Sequence, residues 1–279
     1  MKTIAFILLL MAPFALSAQF YFNEWKSPQE LEARMKNYID QKVTSIAAVG
    51  YDERGARTRD FNEWHQINAD TKTWYSQSRN GQVIVKMAYR FNANGKLASI
   101  ADTSSGVVSL AEYRYDTNNR LQQVNFSVTD SSKEFTSSSV HQWFYSDSQQ
   151  PVRLLKIENG KDSTEYRFQL DQQGRVSDEQ LFRRNTGFDQ IYYYYNSDNN
   201  LTDIVRYNKR LKKLLPDFMF EYDEEDRVIQ KIATLSTRTS DYIIWRYAYN
   251  DKGLRTREAL FNKQKELTGR IDYSYTFLQ

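Results

Sequence analysis

Aromatic and polar residues alternate along most of this chain. In "AEYRYD" (111–116), "QIYYYYN" (190–196) and "IIWRYAYN" (243–250), bulky rings recur at every second position. That period puts successive side chains on opposite faces of a β-strand. The alternation stops at a fixed place. Tyr51, Phe91, Tyr115, Leu170, Tyr195, Tyr222 and Tyr249 are each followed by an acid or its amide: Asp52, Asn92, Asp116, Asp171, Asn196, Asp223 and Asn250. Four positions after each anchor stands Gly55, Gly95, Asn119, Gly174, Asn199, Asp226 or Gly253, and two positions before it Val49, Tyr89, Tyr113, Phe168, Tyr193, Phe220 or Tyr247. A degenerate copy, "WFYSDSQQPV", adds Tyr145, so that from Phe91 onward the anchors recur every 24 to 30 residues. This is an internal repeat.

The spacing has a physical meaning. Asp or Asn opening a turn accepts a hydrogen bond from a backbone N–H two residues on, and Gly, Asn or Asp three residues later tolerates positive φ. Together they predict a type I turn followed by a left-handed residue, the closure of a short β-hairpin. Each unit is then two strands with a tight turn at one edge and a looser loop at the other. The fold class that follows is mainly β: a long antiparallel meander of β-hairpin repeats over residues 47–279, forming a curved open sheet or partial shell. Within residues 19–46, Ser27-Pro28-Gln29-Glu30 reads as a capping box, followed by Leu31, Met35, Tyr38, Ile39 and Lys42 at helical spacing. These predict one short N-terminal helix over about 28–45, covering an end of the sheet.

The first eighteen residues, "MKTIAFILLLMAPFALSA", have one Lys, a short apolar run and small residues at Ser17 and Ala18. They read as a signal peptide cut before Gln19, its run too short for a membrane span. The mature chain is thereby expected to be secreted, at the cell surface or in the periplasm, with no transmembrane segment after cleavage. The chain has no cysteine, which excludes disulfides, thiol chemistry and thiolate metal sites. Its formal charge is only +3, one unit of which leaves with Lys2, so nucleic acid is not an expected partner. Aromatic residues make up 15% of the chain, enough to ask whether some of them bind rather than pack.

"YRYDTNNRL" at Tyr113, "YRFNANGKL" at Tyr89, "FEYDEEDRV" at Phe220 and "FQLDQQGRV" at Phe168 resemble the core motif of the YD-repeat (RHS-type) family, Tyr-x-Tyr-Asp-x-x-Gly-Arg-Leu. The resemblance spans about 49–279, although a literal Tyr-Asp pair stands only at Tyr51, Tyr115 and Tyr222. It implies a continuous β-strip that can curl into a hollow shell, in a secreted or surface-exposed protein of adhesion, encapsulation or carbohydrate binding. This chain has too few units to enclose a toxin. The resemblance transfers no catalytic residue.

No constellation of catalytic chemistry is legible. His65 and His141 are the only histidines, too far apart in sequence to read as a ligand pair, and are expected to be ordinary strand residues. The acidic turns lack a calcium-loop pattern and are explained by turn geometry. The expectations are therefore no enzyme activity, no metal and no cofactor. The dense basic run "RYNKRLKKLL" (206–215) is read as a solvated loop in preference to a site for acidic glycans or anionic lipid. Most rings are expected to pack one face of the sheet. A curved single sheet cannot cover both faces, however, and Tyr192, Tyr194, Trp245 and Tyr247 in adjacent late repeats are the candidate ligand-binding rings. A glycan or envelope component is the expected ligand, giving a non-catalytic binding protein. One alternative is a protein-interaction scaffold that adds a partner strand at a sheet edge. A remote alternative is an outer-membrane β-barrel, suggested by the alternating "DYSYTFLQ" and opposed by a mean hydropathy of −0.73.

Overall fold

The computed structural model describes residues 19–279 apart from 105, 131, 133–135, 185, 209–210 and 235–240; the expected signal peptide, residues 1–18, lies outside the described residues. The alternating segments form eighteen strands: β1 Val43–Asp52, β2 Arg57–Asn68, β3 Thr73–Asn80, β4 Val83–Phe91, β5 Leu97–Asp102, β6 Val107–Tyr115, β7 Leu121–Asp130, β8 Thr136–Tyr145 and β9 Pro151–Glu158. The second half comprises β10 Asp162–Leu170, β11 Val176–Arg183, β12 Thr186–Tyr195, β13 Leu201–Asn208, β14 Lys213–Tyr222, β15 Val228–Thr234, β16 Tyr242–Tyr249, β17 Arg255–Phe261 and β18 Leu267–Phe277.

Each strand pairs antiparallel with the next, and β1 pairs with both β2 and β18, Ile46 lying opposite Tyr275 and Ala48 opposite Tyr273. The sheet is thus a closed barrel, which corrects the expected open sheet or partial shell. The meander is as expected. Accumulated strand twist and stagger bring its two ends into register, and closure satisfies the backbone groups that an open edge would leave unpaired.

At the turns, Gly95, Gly174 and Gly253 have φ of +77°, +79° and +70°, and Asn119, Asn199 and Asp226 have +59°, +67° and +60°. Asn92 Oδ1 accepts from the N–H groups of Asn94 and Lys96, Asp171 Oδ1 from Gln173 and Arg175, and Asn250 Oδ1 from Lys252 and Leu254. The other turn-opening side chains, Asp52, Asp116, Asn196 and Asp223, make the same pair of bonds. Each turn also carries a register shift where the anchor meets the outgoing strand, as between Arg114 and Tyr115. The extra residue lets Leu121 and Val124 both face inward.

The anchor tyrosines tie one unit to the previous one. The hydroxyls of Tyr115, Tyr145, Tyr195, Tyr222, Tyr249 and Tyr275 donate to the carbonyls of Leu97, Leu121, Val176, Leu201, Val228 and Arg255, at 2.6–2.9 Å. Burial pushes the Tyr195 hydroxyl up to about 12, so it remains a donor throughout the neutral range. The turn arginines complete the link: Arg120, Arg175 and Arg227 bind Asp116, Asp171 and Asp223 and lie over the rings of Tyr145, Tyr195 and Tyr249. The first copy departs from this pattern. Tyr51 pairs with Arg270 on the outer face and stacks beneath its guanidinium.

The N-terminal helix sits in the barrel mouth on the turn side. Helical structure begins earlier than expected, with wide π-type turns over Tyr21–Lys26 running into α1, Ser27–Asp40. The expected capping box does not form. Ser27 is already helical at φ −62°, and its hydroxyl is buried without a partner. The added turns are held by packing, because Tyr21 and Phe22 are buried against Phe168, Tyr193, Phe218 and Phe220. The helix ends at Asp40 rather than near 45, where Lys42 takes φ +56° and starts the turn into β1. Leu31, Met35 and Tyr38 pack on Ile46, Trp74, Met87 and Tyr89 across the lumen, and Gln29, Glu30, Ala33, Lys36 and Asp40 face solvent.

Candidate functional site

The wall of the barrel sorts its side chains by parity. Tyr113, Tyr115, Phe168, Tyr193, Tyr195, Phe220 and Trp245 belong to or pack on the core within. On the opposite face of the same strands Glu112, Arg114, Arg167 and Arg246 stand exposed. A lipid-facing wall would carry an apolar band at those depths, where each Arg costs about 2–4 kcal/mol at the bilayer midplane. The described part of this barrel is mainly apolar inside, apart from a few buried polar groups, and its outer face carries charges that a lipid-facing wall does not.

The lumen holds a buried polar network that fastens the N-terminal segment. Glu179, 1% exposed, accepts from the backbone N–H groups of Phe20 and Tyr21 at 3.1 Å each and from the Tyr193 hydroxyl at 2.8 Å. Burial lifts its carboxyl to about 7 in spite of those three donors. Glu24 lies 2.6 Å from His141 Nδ1. His65 accepts from the Trp74 indole at 3.0 Å and contacts Glu63 at 2.6 Å. Further on, Arg255 pairs with Glu258, whose carboxyl burial also raises. Both histidines are strand residues, as expected, and sequence reasoning missed only the contact of His141 with Glu24 in the N-terminal segment. Its only trace in the sequence is that both histidines sit at inward parity, beside Trp74 and Trp143.

A groove of about 470 Å³ lies on the outer face over β8–β11, walled by Phe144, Val152, Arg153, Glu165, Arg167, Gln169, Gln180 and Phe182. Planar groups line it. The guanidinium of Arg153 lies 3.9 Å from the Phe144 ring centre and that of Arg167 4.1 Å from Phe182. Glu165 holds Arg167 at 2.7 Å. The cross-strand register continues this surface onto β12, where Asp178 lies opposite Tyr192 and Gln180 opposite Gln190.

The four candidate rings do not come together. Tyr192 and Tyr194 are outward on β12, next to the groove, with Tyr194 45% exposed. Trp245 is buried in the lumen, and Tyr247 faces inward beneath Arg255, whose guanidinium is 4.2 Å from its ring centre. The repeat itself carries the signal that separates them. Tyr247 occupies the position two before its anchor, as Tyr193 does, so Tyr192 and Tyr194 have the opposite parity. The groove residues come from two neighbouring units, Phe144 opposite Arg153 in one hairpin and Arg167 and Phe182 on the two strands of the next, and the repeat motif does not mark them.

No family model matches the chain, and no curated protein matches it. Among solved structures, the chain is similar to a porin-like protein from Bacteroides uniformis, with TM-score 0.44 and 9% identity over 84% of this chain and 98% of that one. It is also similar to a porin-like protein from Bacteroides vulgatus, with TM-score 0.27 and 13% identity over 85% of this chain and 99% of that one. A third similarity is to the Tc holotoxin pore of Photorhabdus luminescens, with TM-score 0.35 and 14% identity, covering 78% of this chain and 12% of that one.

Proposed function

We propose that the protein is an exported, non-catalytic β-barrel of the YD-repeat type that binds a glycan or other envelope component on its outer wall. The observation that carries this reading is the groove over β8–β11. Phenyl rings, guanidinium planes and the amides of Gln169 and Gln180 are arranged there along one surface, the mixture of flat apolar faces and hydrogen-bonding edges that a sugar ring requires. Tyr192 and Tyr194 extend that surface. The leader-like first eighteen residues support export. The repeat reading is supported by the role each motif position plays: the tyrosine staples, the acid caps the turn, the glycine takes positive φ, and the arginine stacks on the next unit.

Strand addition at a sheet edge loses its basis, because every described strand already has two partners. The barrel of the remote alternative is what the chain forms, while its exposed charges oppose a lipid-facing wall. A glycan array that includes envelope polysaccharides tests the proposal. Signal is expected for the wild-type protein, falling at least tenfold in Arg167→Ala and in the Tyr192→Ala/Tyr194→Ala pair. A silent array, together with co-purification of a single protein, would overturn it.

A further inference from the structure

Two adjacent hairpin ends, β11–β12 and β13–β14, project at the rim opposite the helix. Phe188, Tyr207, Leu211 and Leu214 are there 47%, 47%, 49% and 45% exposed. They make up four of the eleven exposed large hydrophobic residues among the described residues, so the exposure is concentrated rather than scattered. Tyr207 lies opposite Leu214 across the β13–β14 pair. Leu211 is held at the tip by the Asn208 side chain, which accepts from its N–H at 3.0 Å, and Lys212 closes the turn at φ +50°.

Cations surround these apolar groups. Arg183, Arg184, Lys212 and Lys213 are all exposed. Across 183–189 and 207–214, Asp189 is the single acid.

From this juxtaposition we propose that the two hairpin ends dock on an anionic lipid bilayer. The proposal is independent of the groove on the wall. A polyanion such as an acidic glycan would neutralise the lysines and arginines but leave four large apolar side chains in water. A bilayer surface takes both. The rings and leucines enter the headgroup boundary, and the long cationic side chains lie back toward phosphate. Each cation close to such a surface strengthens partitioning by about fivefold.

Sedimentation with vesicles of phosphatidylcholine alone or with added phosphatidylglycerol tests the proposal on the full mature chain. Binding is expected only to the phosphatidylglycerol vesicles and should weaken as salt is raised. Lys212→Glu/Lys213→Glu should reduce it by roughly twentyfold or more. Leu211→Ser/Leu214→Ser, which leaves every charge in place, should reduce it at least tenfold. The substituted residues are exposed, so unchanged melting and near-ultraviolet dichroism establish that each variant is folded. Absence of vesicle binding would overturn the proposal, and so would binding that the leucine pair leaves unchanged, which would mark a purely electrostatic polyanion site. Capture on heparin without sedimentation would also overturn it.

Discussion

The two rims of the barrel are built from the same strands and differ in how regularly their connections repeat. At the turn rim, seven described five-residue turns repeat one backbone hydrogen-bonding scheme, six tyrosine hydroxyls staple neighbouring units, and α1 fills the mouth. At the opposite rim the connections Asp52–Ala56 and Asn262–Glu266 repeat that scheme, while the other described ones vary in length and sequence and two of them expose apolar and basic groups together. Where the chain must hold one unit to the next, each position has a partner and its chemistry is repeated. Loops that carry no such link are free to diverge, and divergent surface loops are where binding groups accumulate.

The largest expected effect comes from opening the closed mouth. Glu179→Ala leaves the N–H groups of Phe20 and Tyr21 and the hydroxyl of Tyr193 without their acceptor and should cost about 3–5 kcal/mol in urea unfolding. Limited proteolysis should then cut first between residues 19 and 40. The same carboxyl sets a pH dependence. Its pKa is raised from 4.5 to about 7 by burial, so between those values the folded chain holds a proton that the unfolded chain has released. The stability it confers is full below pH 4.5 and is lost as the pH rises through 7, by roughly 3 kcal/mol. Glu179→Gln, which cannot ionise, should flatten that slope in melts taken from pH 4.5 to 8; an unchanged slope would place the titration elsewhere.

A smaller effect is expected from a single turn. Gly174 has φ +79° with open space where a side chain would go. Gly174→Val should therefore cost roughly 1–2 kcal/mol through backbone strain alone. Smaller again is the loss of one staple: Tyr222→Phe removes only the 2.7 Å bond to the Leu201 carbonyl and should cost about 1 kcal/mol. At the opposite rim, Leu211→Ser/Leu214→Ser should change stability by less than about 0.5 kcal/mol. If that pair proved as destabilising as the turn variants, the contrast between the rims would fail.

The sequence by itself determined what is local. Aromatic alternation marked the strands, the Asp/Asn-to-Gly spacing placed the left-handed residues at 95, 174 and 253, and Leu31, Met35 and Tyr38 marked a helical face. These features are legible because each depends on neighbours within a few residues. The helix start was misplaced for the complementary reason: Ser27 has the composition of a cap, but burial of Tyr21 and Phe22 against β10–β14 extends the helix past it. Closure of β1 on β18 and the meeting of Glu24 with His141 and of Glu179 with Phe20 were decided only by the tertiary structure. Each joins residues that no short-range spacing relates. Their approach depends on the twist and stagger summed over eighteen strands, a quantity to which every unit contributes and which none encodes alone.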